Sequence, residues 1–335
     1  MPELSVILCA WRPSPGLHEA LRALEGQTLA FDEYEVIVVD NHPQARVRPL
    51  VEAFHAGSPM AVRYAHEPRL GLSAARNRGV REAHGQIIAF LDDDARAEPG
   101  WGATLLRAYD ELPGAEAIGG RIQLQWPAQP PASWRAAYNE LCGQLHYAPD
   151  RVRVGYPRYP YGGNSSFRRS VFLRDGLFST QLGPVGRRPL DGEEYELYLR
   201  LERRGGQIYY EPGAVVTHVV PAGRLSRRFV MRKAFFHGRS MALIEAAYFG
   251  RRFALRRSLS LDRHPEQRRR TAQRGGTLSQ TSDAGSPWLE YAALPVARPG
   301  LKALAQGLGY GWQTFGIELW RRQRAVPPPP GATAW

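Results

Sequence analysis

The chain has 335 residues, 43% of them hydrophobic, with eight Trp, fifteen Tyr and twelve Phe, which excludes disorder throughout and allows one large domain or a domain plus an appendage. Two cysteines, Cys9 and Cys142, stand far apart without metal-ligand spacing, arguing against a disulfide framework and for a reducing compartment. The net charge of +12 is local: residues 224–274 hold fifteen Arg/Lys against three Asp/Glu, and the rest of the chain is neutral by count.

Leu4–Ala10 is apolar and reads as a first strand. Ser14-Pro15 supplies a cap and a first-turn proline for a helix carrying Leu17, Ala20, Leu21 and Leu24. Glu35–Asp40 is a second buried strand, followed by a helix through Leu50, Val51 and Phe54. Ala61–His66 is a weaker strand, Ser73–Ala83 a helix, and Gln86–Leu91 a buried strand leading into three aspartates, Asp92, Asp93 and Asp94. Such alternation predicts an α/β protein whose mostly parallel central sheet is flanked by helices.

Beyond residue 125 the pattern loosens. Residues 126–134 are proline-rich, and Gly162-Gly163-Asn164 reads as a glycine turn entering a strand. Asp191–Arg204 reads as helical, Gln207–Tyr210 and Ala214–Val220 as two strands, and Gly223–Gly250 as an Arg-rich helix. The expected organisation is a catalytic domain over 1–222, with a nucleotide-binding half (1–125) and an acceptor half (126–222). A basic helical segment (223–255), a flexible linker (256–288) and a helical, Pro-rich C-terminal extension (289–335) follow. The start of the chain shows neither a basic leader nor a long apolar stretch, and no run approaches the ~18 apolar residues of a spanning helix. A cytoplasmic protein is therefore expected, with peripheral attachment to the cytoplasmic membrane face as the reading of its basic segment.

Three adjacent carboxylates at a strand's carboxyl end repel one another unless a hard cation lies between them, and that edge is where open α/β sheets bind ligands. Alone, such a run is more often a solvated turn. Asp40 after its own strand can bond a nucleobase or ribose, or simply cap the next helix. In Gly71-Leu72-Ser73-Ala74-Ala75-Arg76-Asn77-Arg78-Gly79, small residues allow close packing, the helix start favours an anion, and Arg76 or Arg78 can face a diphosphate. Asp191-Gly192-Glu193-Glu194 opens a helix with acids, as the helix dipole favours, and can also supply a general base. His218, alone among apolar residues, is more often a core histidine than a ligand.

SVILCAWRP, VIVVDN, GLSAARNRG, IIAFLDDD, GGNSSFRR and GEEYELYLRL occur in the order found in family 2 glycosyltransferases of the A-type fold, and the resemblance covers about residues 4–220. It implies an inverting transfer from a nucleotide diphosphate sugar to a saccharide or lipid-linked acceptor, dependent on Mg2+ or Mn2+. It also implies that Asp40 contacts the nucleobase, with Ala10 and Trp11 lining the pocket and Arg76 near the nucleotide. Asp92, Asp93 and Asp94 match the family's acidic motif, with Asp92 and Asp94 as ribose and metal ligands and His218 completing the metal site. Gly163 and Asn164 would border sugar and acceptor. Glu194 takes the place of the base, with Glu193 as the alternative. CAWRP departs from the family's first motif, and no Gln-x-x-Arg-Trp is present, which argues against a processive synthase. The rival readings are a sugar nucleotidyltransferase and a catalytically degenerate sugar-binding scaffold; no nucleic-acid module is visible.

Overall fold

The computed structural model describes residues 1–126, 129–186, 189–250 and 309. The expected linker over 256–288 and nearly all of the 289–335 extension lie outside the described residues. Two compact units divide at Val230/Met231.

The first unit begins β1 (Leu4–Ala10), α1 (Pro15–Glu25), β2 (Tyr34–Asp40), α2 (Arg48–Gly57), β3 (Val62–His66), α3 (Leu72–Glu82), β4 (Ile87–Asp92) and β5 (Ala95–Ala97). Then come α4 (Trp101–Glu111), β6 (Ala115–Gln125), β7 (Val152–Val154), β8 (Asn164–Arg168), α5 (Arg169–Asp175), α6 (Glu193–Arg203) and β9 (Gln207–Val219). A 3-10 helix spans Ala136–Cys142, and α7 (Arg227–Phe249) runs from the first unit into the second. Within the second unit, Ala234, Met241, Ala242 and Ile244 of α7 are buried.

One sheet carries the nine strands in the order β3-β2-β1-β4-β8-β6-β9-β5, with β7 also paired to β9. The first four strands are parallel, as the alternation predicts. The other half is mixed: β8 is antiparallel to both β4 and β6, β6 is parallel to β9, and β5 and β7 run antiparallel to β9.

Ser14 caps α1 by accepting the Leu17 N–H at 3.1 Å, with Pro15 in the first turn. Leu17, Ala20, Leu21 and Leu24 then pack onto Leu4, Val6 and Leu8 of β1 in one core cluster. Each such buried side chain is worth about 1.5–3 kcal/mol of transfer free energy. On α3 the small residues are needed for approach: a Cβ at Gly79 would stand 2.5 Å from Ile7 Cγ2.

The expected pair of strands after α6 is a single strand. Pairing with β6 jumps from Gly120↔Glu211 to Arg121↔Val215, so three residues of β9, including Pro212-Gly213, bulge out. Gly120 has to be glycine, since a Cβ there would collide with the Ala214 carbonyl inside the bulge.

Candidate active site

The site is built at the carboxyl end of the parallel strands. The buried run of β4 delivers Asp92, and the chain turns through Asp93 and Asp94 into β5. The first turn of α1 packs on this turn: a Cβ at Gly16 would lie 3.2 Å from the Asp93 carbonyl oxygen. Burial, followed by the charges of Asp94 and Asp92, pushes the Asp93 carboxyl up to about 7.

β9 brings His218 opposite Ala95, so its ring meets Asp94. His218 Nδ1 lies 2.8 Å from the Cys142 carbonyl, which accepts its proton and leaves Nε2 facing Asp94 Oδ1 at 3.1 Å. Arg224 completes the group, with Nη1 3.2 Å from His218 Nε2 and Nη2 3.6 Å from Asp94 Oδ2. Burial opposes charging both groups. It is outweighed at Asp94 by the His218 hydrogen bond and by the charges of His218 and Arg224, which lower its pKa; the Asp94 bond and charge raise His218. Among the described residues no cluster of three His, Cys, Asp or Glu is arranged to hold a metal. Asp94 and His218 nevertheless fit one as a half-site: an oxygen and an imidazole nitrogen converge, and a backbone carbonyl fixes the ring as carbonyls fix metal-ligating histidines. Arg224, Cys142 and Gly16 were not among the expected site residues, because none belongs to a motif and each arrives from a separate segment.

At the other wall, α6 opens at Gly192 (φ +90°) with acids throughout its first turn. Glu193 is buried and its Oε1 accepts from Arg76 Nη1 at 2.7 Å, whereas Oε2 is buried without a partner among the described residues. Burial, then the charge of Glu194, outweighs Arg76 and pushes Glu193 up to about 8. Glu194 is less enclosed, with 18% of its side chain exposed, and its Oε1 accepts from the Gly162 N–H at 3.3 Å. Arg76 lies 4.0 Å from both Glu194 Oε2 and Asp92 Oδ1, so the two walls meet across one guanidinium. A Cβ at Gly163 would collide with the Asp92 carboxylate.

Several expected contacts are committed elsewhere. Arg76, expected near the nucleotide, is only 5% exposed and is spent on carboxylates. Asp40 is fully buried: its oxygens accept from the His42 N–H (2.9 Å), the Val47 N–H (2.7 Å) and the Tyr64 hydroxyl (3.2 Å). These bonds tie the end of β2 to the turn that leads into α2, whose N-cap is Val47. Asn164 is equally enclosed; its Oδ1 accepts from Trp101 Nε1, and its Nδ2 donates to the Arg121 and Ala214 carbonyls, all at 2.9 Å. It ties β6 to the β9 bulge. The start of α3 is not open to an anion either: the Leu72 N–H donates to the Pro184 carbonyl at 3.1 Å. Ser73 bonds the Leu182 carbonyl at 2.8 Å, and the Asn77 amide pairs with both Phe178 backbone groups at 2.9 Å. At the strand end Ala10 is buried, whereas Trp11 is 45% exposed with its ring centroid 4.8 Å from that of His42.

A mixed α/β sheet flanked by helices is the fold of the A-type glycosyltransferases, and solved members superimpose on it. The mannosyltransferase PcManGT from Pyrobaculum calidifontis, solved with GDP-Man and Mn2+, superimposes with a TM-score of 0.51 and 21% identity over 98% of this chain and 77% of its own. GalNAc-T7, solved with UDP, GalNAc and Mn2+, gives 0.51 and 16% over 72% of this chain and 51% of its own. Residues 5–174 match the model of glycosyl transferase family 2, and the chain belongs to that family. The glucosyl-dolichyl phosphate glucuronosyltransferase of Haloferax volcanii is 28% identical over 252 residues, 73% of this chain and 78% of that protein. The succinoglycan biosynthesis protein ExoM of Rhizobium meliloti is 29% identical over 250 residues, 71% and 75% of the two chains. The chain is thus a glycosyltransferase. No helix among the described residues is long and apolar enough to cross a membrane.

Proposed function

We propose that the protein moves a sugar from a nucleotide diphosphate sugar to an acceptor hydroxyl, with inversion, and that Glu194 is the base. The carrying observation is the asymmetry of the Glu193–Glu194 pair: one carboxylate is buried against Arg76, the other faces the glycine turn beside Asp92. A base must be within hydrogen-bond reach of the proton it takes, and only Glu194 of the two is placed for that.

In this reading the donor's nucleobase lies against Trp11 and the strand end at Ala10, with Asp40 shaping the pocket from behind by fixing the entry to α2. Asp92 stands at the ribose and diphosphate end. Glu194 accepts the acceptor's proton as that oxygen bonds to the anomeric carbon, and the carbon–oxygen bond to the diphosphate breaks on the opposite face. Asp94 and His218 would hold Mg2+ or Mn2+, an ion that when bound offsets the charge on the leaving diphosphate. Arg224 stands beside the pair as a further positive charge. GDP-Man in one solved relative, UDP and GalNAc in the other, and Mn2+ in both support the donor class, and the glucosyl-dolichyl phosphate and succinoglycan of the two sequence relatives support a lipid-linked or saccharide acceptor. Residues 1–125 form the donor half and 126–222 the acceptor half. Arg227, Arg228 and Arg232 give α7 an exposed basic stretch suited to anionic lipid on the cytoplasmic face, which flotation with anionic and neutral vesicles tests.

A thermal-shift screen of nucleotide sugars with Mn2+ identifies the donor, since a ligand of the folded state stabilises it by mass action. With that donor, Glu194→Gln lowers transfer by about 10²–10⁴-fold while donor binding survives, and NMR of the product reports the inverted anomer. Near-normal turnover by Glu194→Gln refutes the assignment of the base.

A further inference from the structure

The most unusual group in the first unit is the Arg76 guanidinium. It carries a full charge at 5% exposure, and among the described residues its one hydrogen bond is to Glu193. Its central carbon lies 5.6 Å from the Phe90 ring and 5.7 Å from the Phe178 ring, so it is held between apolar faces as well as by charge. Four pieces of chain meet on it. α3 supplies it; β4 presents Asp92 at 4.0 Å; α6 presents Glu193 and Glu194; and the glycine turn crosses so closely that a Cβ at Gly162 would stand 2.6 Å from Nη2.

α6 needs such a partner. Its first turn holds Glu193, Glu194 and Glu196, and Gly192 offers no side chain to cap it. The backbone dipole favours acids there but does not orient them. Arg76 fixes Glu193, and Glu194 follows on the same helical turn, its oxygen meeting the Gly162 N–H. We propose that Arg76 is a positioning residue: through Glu193 it sets the Glu194 carboxylate at the glycine turn, and it does not touch the donor's diphosphate. The inference rests on Glu194 as the base.

The planar fork of arginine suits this role, because one nitrogen bonds Glu193 while the flat faces lie against rings; lysine offers a point charge on a flexible stem. Misplacing a catalytic group by about 1 Å costs roughly 10²-fold in rate. Arg76→Gln therefore lowers kcat by about that factor and leaves the donor KM within ~3-fold, the split expected when an interaction acts only in the transition state. Arg76→Lys recovers part of kcat. Arg76→Gln alone strands a buried carboxyl and can fail to fold; the pair Arg76→Gln/Glu193→Gln removes that group and reports the same loss of kcat.

The experiment is steady-state kinetics on these variants beside Glu194→Gln, with donor and acceptor varied separately. A raised donor KM at unchanged kcat in Arg76→Gln or in the pair makes Arg76 a donor contact and overturns the proposal. Wild-type kcat in the pair overturns it too, because no tether is then required. If Glu194→Gln is inactive while the Arg76 variants turn over normally, this inference alone falls; if Glu194→Gln turns over normally, the base reading falls and takes this one with it.

Discussion

Replacing Asn164 with Asp separates a ligand contact from a structural tie at nearly constant shape. The amide nitrogen donates to the Arg121 and Ala214 carbonyls at 2.9 Å each, at the place where β9 bulges out of register with β6. A carboxylate offers no donor, so both carbonyls lose the Asn164 N–H and face an oxygen in its place. The Trp101 indole N–H can keep its acceptor. An orphaned buried carbonyl costs about 1–3 kcal/mol, which puts the pair at about 2–6 kcal/mol before any charge is buried. For a folded unit of this size ~1 kcal/mol moves Tm by about 2–4 °C, so Asn164→Asp lowers Tm by about 10 °C. Thermal and urea unfolding with the identified donor present and absent give both readouts. A variant with wild-type Tm but weakened donor or acceptor binding would place Asn164 at the sugar after all and refute the structural assignment.

Two further outcomes follow from the site. Between the ordinary carboxyl value of 4.5 and the raised value of about 8, folded Glu193 holds a proton that the unfolded chain has released. Stability from this group is full below that window and falls as pH rises through it, by at most ~1.4 kcal/mol per pH unit; urea midpoints from acid to alkaline pH show the slope, and Glu193→Gln flattens it unless another group is responsible. Trp11→Ala weakens donor binding by about 1–3 kcal/mol, the worth of one base stacked on an aromatic ring, with kcat at saturating donor little changed; titration calorimetry measures it, and undiminished affinity removes Trp11 from the nucleobase site.

What was legible in the chain was local. β1, β2 and β4 are buried, mostly apolar runs with sharp ends, and Ser14-Pro15 marks its helix by chemistry confined to four residues. Pro212-Gly213 reads as the gap between two strands because nothing local reveals that both flanks pair with β6. Asp40 and Asn164 look like ligands for the same reason: a polar group at a strand end is ambiguous until its partners are known, and those of Asn164 are about 43 to 63 residues away. Arg76 was legible as a cation near the reaction but not as a buried one, since Glu193 lies 117 residues further on. The family motif as a whole was more informative than any residue in it.

The bonds from Ser73 and Asn77 to the loop at Phe178 and Leu182 bear on protein engineering. That loop leads into α6, whose first turn carries Glu193 and Glu194, so its seating bears on how that turn is held. Its anchor points belong to α3, contributed about a hundred residues earlier. A loop transplanted here will therefore seat if its backbone still presents what Ser73 and Asn77 bind, two carbonyls and one N–H, whatever side chains it carries.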